Sequence, residues 1–182
     1  MINIYKLKLT ILQQEILRLL FIRAGTSLNA HAIAITLEVS QPAVSKALPM
    51  LEKEAFIKVS KDKLSKRLSI ELNRDSQQNI WLKRADNLKQ IYESGLGQFL
   101  YDSFPGATVI LFGSYAFGED TASSDIDLAV IGVKEKILDL TKFEKMLERG
   151  IIINYYKSFN DLDNNFLSNI ASGIPLKGAV DL

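Results

Sequence analysis

The sequence predicts an α+β chain in which two small domains are joined by a helix. The chain has 182 residues, 47% of them hydrophobic and 24% charged, which is an ordinary globular composition. Residues 1–90 hold 15 Lys/Arg and 8 Asp/Glu, whereas residues 91–182 hold 7 and 13. Helical periodicity is the main pattern in the basic half, whereas the acidic half contains short apolar runs that are typical of buried strands. We expect domains over 1–75 and 104–182, with a connector helix over 76–103.

The charge division favours a front domain that binds a polyanion and a back domain that holds cations, although a chance imbalance of surface charge is the alternative. The chain has no cysteine, which excludes disulfides and zinc-thiolate sites. No apolar run reaches the roughly 18 residues that a membrane span needs, and the amino terminus lacks a signal-peptide pattern. We therefore expect a cytoplasmic protein that does not bind membranes.

Three helices and a hairpin are predicted in the front half. Apolar residues recur at helical spacing in each helix, and the third helix starts at Gln41 after a Ser40 N-cap, with Pro42 in its first turn. Its buried stripe consists of Val44, Ala47, Leu48 and Leu51. The predicted helices span 10–24, 29–37 and 41–55, and the predicted strands span 56–60 and 67–72.

This layout, and the run Val39-Ser40-Gln41-Pro42-Ala43-Val44-Ser45-Lys46-Ala47-Leu48, resembles the winged helix-turn-helix family over about residues 8–73. The resemblance implies binding of double-stranded DNA, with the third helix in the major groove and the hairpin along the backbone or in the minor groove. Winged helices also bind proteins, and lysines at a hairpin tip also keep an edge soluble. The candidate DNA-binding residues are Gln41, Ser45, Lys46, Lys61, Lys63, Lys66 and Arg67, with Lys58 also in the hairpin.

The connector carries apolar residues at helical spacing and no proline, which predicts one long helix that is loosened at Gly95-Leu96-Gly97. Trp81 and Tyr92 on this helix belong either to the core or to a dimer seam. Because helix-turn-helix proteins commonly bind two half-sites as dimers, we expect a homodimer.

The back half contains two buried strands with polar residues at their ends. The apolar run 108–112 stops at Gly113-Ser114, where a following helix would present backbone N–H groups to a phosphate, and the Ser114 hydroxyl could add a donor. The second strand, 125–131, begins with Asp125 and Asp127, whose side chains lie on one face because side chains alternate along a strand. Two such carboxylates can hold Mg²⁺ or Mn²⁺. A second Asp-x-Asp, Asp161 and Asp163, is better explained as capping charge.

Gly113-Ser114, followed after ten residues by Asp125-Ile126-Asp127-Leu128, resembles the signature of the minimal nucleotidyltransferases of the DNA polymerase β-like superfamily, and the final 173–178 resembles the way these domains end. The resemblance covers about residues 104–180. It implies a mixed sheet flanked by helices, a nucleoside triphosphate held by Gly113, Ser114 and Ser124, and metal held by Asp125 and Asp127. The implied reaction is transfer of a nucleoside monophosphate to a hydroxyl of a protein or nucleic acid by a two-metal mechanism.

One position departs from the family pattern, whose active members present a third carboxylate from a later strand. After a helix predicted over 136–149, the strand 151–156 places Asn154 at that position, and an amide cannot act as a base. Asp161 or Asp163 could substitute if the loop folds back. The alternative function is a catalytically weakened domain that serves as a nucleotide sensor or partner platform in a DNA-binding transcription regulator or antitoxin-like protein. In a third interpretation, Asp125 and Asp127 are ordinary strand-end charges.

Overall fold

The computed structural model describes residues 8–61 and 68–180, without the side chains of 164 and 165. The chain divides into two compact units, Met1–Asn79 and Ile80–Leu182. Both contain helices and strands, so the predicted α+β class is confirmed. Among the described residues, no helix combines the length and the apolar character needed to cross a membrane. The candidate DNA-binding residues Lys63, Lys66 and Arg67 lie outside the described residues.

The first unit contains three helices and a hairpin in the predicted order. The helices are α1 (Ile11–Ile22), α2 (Ala30–Thr36) and α3 (Gln41–Lys53), and the antiparallel strands are β1 (Ile57–Lys61) and β2 (Leu68–Leu72). Each helix begins after a side chain that accepts a hydrogen bond from an N–H of the first turn: Thr10, Asn29 and Ser40. The predicted winged-helix layout is confirmed.

The core of the first unit is built on the predicted stripe of α3, whose members Val44, Ala47, Leu48 and Leu51 are all buried. The β1–β2 hairpin packs on this core through Ile70, which is fully buried and also pairs with Leu28. The Asn79 side chain links the start of the following helix to the rest of this unit, because its amide donates to the carbonyls of Ala55, Phe56 and Asn73 at 3.0, 3.1 and 2.8 Å.

The connector is corrected by the structure from one helix to two, α4 (Gln77–Glu93) and α5 (Leu96–Ser103). The break falls at Gly95, whose φ of +80° is a left-handed conformation that glycine adopts without strain. Trp81 and Tyr92 are 64% and 54% exposed, so they are not part of the core of the described structure.

The second unit continues with a four-stranded mixed sheet and three further α-helices. Its strands are β3 (Thr108–Phe112), β4 (Ile126–Ile131), β5 (Ile151–Tyr156) and β6 (Ile174–Lys177), and its helices are α6 (Gly113–Phe117), α7 (Thr141–Leu147) and α8 (Asn164–Ala171). The helix predicted over 136–149 is therefore only seven residues long. Irregular chain occupies 132–140 instead, where the Tyr155 hydroxyl donates to the Lys136 carbonyl at 2.7 Å.

The sheet has the order β5-β4-β3-β6, with β3 antiparallel to both neighbours and β4 parallel to β5. Both faces are covered. Val109, Leu111 and Leu128 pack on one face with residues of α5 and α7, whereas Ile110 and Phe112 pack on the other with residues of α8. Because both faces are buried, β3 and β4 consist almost wholly of apolar residues. Their polar exceptions are Asp127, at the end of the ladder where β4 begins, and Thr108, at the opposite end.

Candidate functional site

The end of β3 and the start of β4 bring Gly113 and Asp127 together. Phe112 pairs with Asp127 in the antiparallel ladder, so the next residue, Gly113, lies beside the carboxylate. A Cβ added to Gly113 would stand 2.5 Å from Asp127 Oδ2, and the φ of Gly113 is +72°. The left-handed backbone favours glycine here, and a Cβ at this position would displace the Asp127 carboxylate.

Asp125 has a glycine beside it in the same way. It directly precedes β4, and a Cβ added to Gly150 would stand 2.5 Å from Asp125 Oδ1. The Ile126 N–H donates to the Gly150 carbonyl at 2.8 Å, which holds the two segments together. Each carboxylate therefore lies so close to a glycine that a Cβ at the glycine position would collide with a carboxylate oxygen.

The two carboxylates differ in environment. Asp125 is exposed, whereas Asp127 is partly buried. Burial, and secondly the charge of Asp125, raise the pKa of the Asp127 carboxyl above its ordinary value. A partly desolvated carboxylate beside another is stabilised by a cation, and carboxylate oxygens are ligands that Mg²⁺ and Mn²⁺ accept. The residues present therefore fit a divalent cation.

The two predicted nucleotide-binding serines occupy different settings. Ser114 lies, partly exposed, in the first turn of α6, next to Gly113. Ser124 shapes the turn before Asp125, because its hydroxyl accepts a hydrogen bond from the Thr121 N–H at 3.0 Å. That either serine contacts a nucleotide stays a prediction.

The register of β5 decides which side chain stands next to Asp127. Ile152 pairs with Asp127, and Asn154 pairs with Ala129, so Asn154 lies on the same face but one alternation farther along. Ile152 is 44% exposed. Within residues 8–61 and 68–180, no group of three or more His, Cys, Asp or Glu is placed to hold a metal ion. Neither β5 residue on this face near the site carries a charge.

Asp161 and Asp163 act as caps, as the sequence predicted. Asp161 Oδ2 accepts from the Ser158 N–H at 3.1 Å in a short 3₁₀ helix (Phe159–Asp161), and Asp163 Oδ1 accepts from the Phe166 N–H at 2.9 Å at the start of α8. Their roles as helix caps account for both carboxylates without a metal.

A buried polar cluster beside the site was missed in the sequence. Asp120, in the loop between α6 and β4, accepts from Lys83 and from Asn87 of α4, the latter at 2.7 Å, and pairs with Arg149 at 3.5 Å. All four side chains belong to residues that are at most 5% exposed. The loop that leads to Asp125 is thereby anchored to α4 and to the residue before Gly150.

The candidate DNA-binding residues of the third helix are exposed to solvent. They are Gln41, Ser45 and Lys46, none of which belongs to the buried stripe of α3. Lys61 is exposed at the end of β1. Lys58 differs from these, because its ammonium forms an ion pair with Asp75 at 2.5 Å. That these side chains contact DNA is untested and stays a prediction.

Comparison with known proteins gave two kinds of match. Residues 98–176 match the family model described as polymerase beta, nucleotidyltransferase. None of the curated proteins compared with the chain matches it. Among solved structures, the chain is similar to ZitR of Lactococcus lactis, at 24% identity and a TM-score of 0.42, over 58% of this chain and 68% of that one.

Two further solved structures are similar to the chain. The adhesin competence repressor AdcR of Streptococcus pyogenes has 25% identity and a TM-score of 0.43, over 57% of this chain and 72% of that one. MepR, a transcription regulator of the Staphylococcus aureus multidrug efflux pump MepA, has 25% identity and a TM-score of 0.39, over 54% of this chain and 68% of that one.

Proposed function

We propose that this chain, whose residues 98–176 form a nucleotidyltransferase domain of the polymerase beta family, is a DNA-binding protein that senses a nucleoside triphosphate through that domain. In this proposal the domain binds the nucleotide with a divalent cation and changes the affinity of the winged helix for DNA. The observation that carries the proposal is Ile152, an apolar side chain in register with Asp127.

Nucleotide binding is supported by the geometry around Gly113. The triphosphate would lie against Gly113 and Ser114, where the absence of a Cβ lets the backbone lie close to the Asp127 carboxylate. Asp125 and Asp127 would hold Mg²⁺ or Mn²⁺. When bound, the cation would offset the charge of the triphosphate and of both carboxylates.

Turnover needs more than binding. An acceptor hydroxyl must lose its proton, and two-metal transfer requires ligands for the cation that activates this hydroxyl. Ile152 offers neither a ligand nor a base, and the Asn154 amide is not a base. Asp125 and Asp127 would be left to hold one cation on the nucleotide, which favours retention of the triphosphate over its cleavage.

The experiment for the sensor combines two titrations of the full chain. Calorimetry with each of the four ribonucleoside triphosphates and Mg²⁺ should show binding by the native chain and none by Asp127→Ala. The matched control is Asp102→Ala, which removes an exposed carboxylate on α5. DNA affinity should then change when the bound nucleotide is added. If no triphosphate binds in the presence of Mg²⁺ or Mn²⁺, the proposal fails.

A nucleotidyltransferase that modifies a hydroxyl of a protein or nucleic acid is the second candidate. The glycines beside both carboxylates and the raised pKa of Asp127 favour it, because they indicate a site that is shaped for a cation and a phosphate. Transfer of label from an α-labelled nucleotide, lost in Asp127→Ala and kept in Asp102→Ala, would establish this function. Labelling that survives Asp127→Ala would assign the activity to another protein.

The DNA partner is proposed from the exposed face of α3. Lys46→Ala should weaken binding to double-stranded DNA and lower the slope of log affinity against log salt by about 1, as expected for the loss of one phosphate contact. Lys53→Ala, in the last turn of the same helix, is the matched control. An unchanged slope in Lys46→Ala would remove this lysine from the DNA interface.

A further inference from the structure

Strand β5 forms one edge of the four-stranded sheet. In the part of the chain that the structure describes, β4 is its only neighbour in the sheet. The opposite edge, β6, contains Pro175 and Lys177, which are residues that protect sheet edges against further pairing. The sequence of β5, Ile-Ile-Ile-Asn-Tyr-Tyr, has no proline and no charge. Such an edge is suited to pair with another strand.

The outward-facing backbone of β5 can be read from its bonds to β4. The Ile126 N–H donates to the Gly150 carbonyl, and the Gly132 N–H donates to the Tyr156 carbonyl. Even-numbered residues therefore bond to β4, and odd-numbered residues direct their N–H and C=O groups away from it. The outward N–H of Ile151 donates to Glu144 Oε1 at 3.2 Å. Ile153 and Tyr155 then supply the edge groups that a new strand would use.

We infer that β5 pairs antiparallel with β5 of a second copy of this chain, with Asn154 opposite the partner's Asn154. In this register only outward-facing residues form backbone hydrogen bonds between the two chains. Ile153 donates to and accepts from the partner's Tyr155. Two such exchanges, related by the two-fold axis, give four interchain hydrogen bonds. The two four-stranded sheets become one sheet of eight strands.

The side chains of β5 complement themselves in this register. Ile153 lies opposite the partner's Tyr155, and Ile152 lies opposite the partner's Tyr156, so each β-branched side chain meets an aromatic ring. The two Asn154 amides meet at the axis, where each can donate to and accept from the other. Covering Ile152, which is 44% exposed, removes an apolar side chain from water.

Charge complementarity extends the pairing beyond the strand. Lys157, which is exposed, follows β5 directly and would lie opposite the partner's Ile151. There it reaches the partner's Glu144, the carboxylate that accepts from the backbone of that isoleucine. Two ion pairs result, one on each side of the axis. A strand whose ends and side chains match its own copy favours a second copy over an unrelated protein.

The pairing also places a partner residue near the nucleotide site. Ile152 stands between Asp127 and the partner's Tyr156, and neighbouring strands are about 4.8 Å apart, so that tyrosine lies roughly 10 Å from Asp127. Asn154 acquires a role at the two-fold axis that does not depend on its place in the family pattern.

Single-cysteine variants test the register, because the native chain has no cysteine. In a non-hydrogen-bonded antiparallel pair the two Cα atoms are about 4.5 Å apart, within the span that a disulfide bridges. Asn154→Cys should therefore give a covalent dimer under mild oxidation of the full chain. Ile152→Cys alone and Tyr156→Cys alone should remain uncrosslinked, whereas a mixture of the two should form a heterodimeric disulfide.

Two further variants separate this interface from other ones. Ala85→Cys lies on the exposed face of α4 between Trp81 and Leu88, and it reports a competing helix seam. Asn154→Asp places two carboxylates opposite each other at the two-fold axis, where like charges repel, and Asn154 is partly exposed in the single chain, so this variant should sediment as a monomer with an unchanged circular dichroism spectrum. Crosslinking through Ala85→Cys alone, a monomeric native chain at all concentrations, or a dimeric Asn154→Asp would overturn the inference.

Discussion

Replacing Gly113 by alanine should separate the backbone requirement at this position from the space that Asp127 needs. The alanine would adopt a φ near +72°, which costs roughly 1–2 kcal/mol for a residue with a Cβ. For a chain of this length we expect Tm to fall by roughly 2–4 °C for each kcal/mol. The new Cβ would also stand 2.5 Å from Asp127 Oδ2 and 3.3 Å from Cγ, so the carboxylate must move.

Displacement of Asp127 should cost more in binding than in stability. The clashing atom is the end of a side chain that can rotate, so the unit stays folded while one of its two cation ligands is misplaced. We expect the affinity for Mg²⁺ and nucleoside triphosphate, measured by calorimetry, to fall at least about tenfold, which corresponds to about 1.4 kcal/mol.

Gly106 supplies the matched control. Its φ is +78°, and a Cβ added there would meet nothing within 4 Å, so Gly106→Ala shares the backbone cost without the contact. The double variant Gly113→Ala/Asp127→Ala should be at least as stable as Gly106→Ala, because both the collision and the partly buried carboxylate are removed. Equal nucleotide binding by Gly113→Ala and Gly106→Ala would refute the role assigned to this space.

Three other substitutions have defined outcomes. Burial and the charge of Asp125 raise the pKa of Asp127, so ionisation of this carboxyl destabilises the fold. Metal-free Asp127→Asn should therefore have a higher Tm than the native chain at neutral pH. This difference should vanish below the ordinary aspartate pKa, where the carboxyl is protonated in both the folded and the unfolded chain. Asp120→Ala leaves two buried cations without their carboxylate and should cost about 3–5 kcal/mol in urea unfolding. Asn79→Ala leaves three carbonyls without this donor and should cost about 1–3 kcal/mol, whereas Gln78→Ala, at an exposed position, should be neutral. Three outcomes would contradict these expectations: a Tm of metal-free Asp127→Asn equal to that of the native chain at neutral pH, an Asp120→Ala chain as stable as the native chain, or an Asn79→Ala chain as stable as Gln78→Ala.

Local chemistry explains what the sequence could predict. Ser40 caps α3 because its hydroxyl reaches an N–H three residues ahead, and that rule needs no knowledge of the fold. The buried stripe of α3 follows from helical periodicity, and the bounds of β3 and β5 follow from short runs of mainly apolar residues. At the candidate site, the glycine turn and the pair Asp125 and Asp127 were singled out because phosphate and metal binding restrict which residues can be used, and their binding of either ligand stays a prediction.

Contacts between distant segments explain what the sequence could not predict. The register of β5 against β4 decides that Ile152 faces Asp127, and strand composition is compatible with either Ile152 or Asn154 at that place. The helix was predicted to begin at residue 136, yet the Lys136 carbonyl accepts a hydrogen bond from the Tyr155 hydroxyl of a later strand, and the helix begins only at Thr141. Asp120 gave no signal, because its partners Lys83 and Arg149 lie 37 and 29 residues away.

The Asp120 cluster is completed late during synthesis, because Arg149 emerges 29 residues after Asp120. Lys83 and Asn87 are available to Asp120 as soon as its loop has been made, whereas the contact from this loop to the residue before Gly150 forms only with Arg149. A chain that ends in α7 lacks that contact and also lacks the strand that pairs with β4. Chains truncated before β5 should therefore be degraded faster than the full chain.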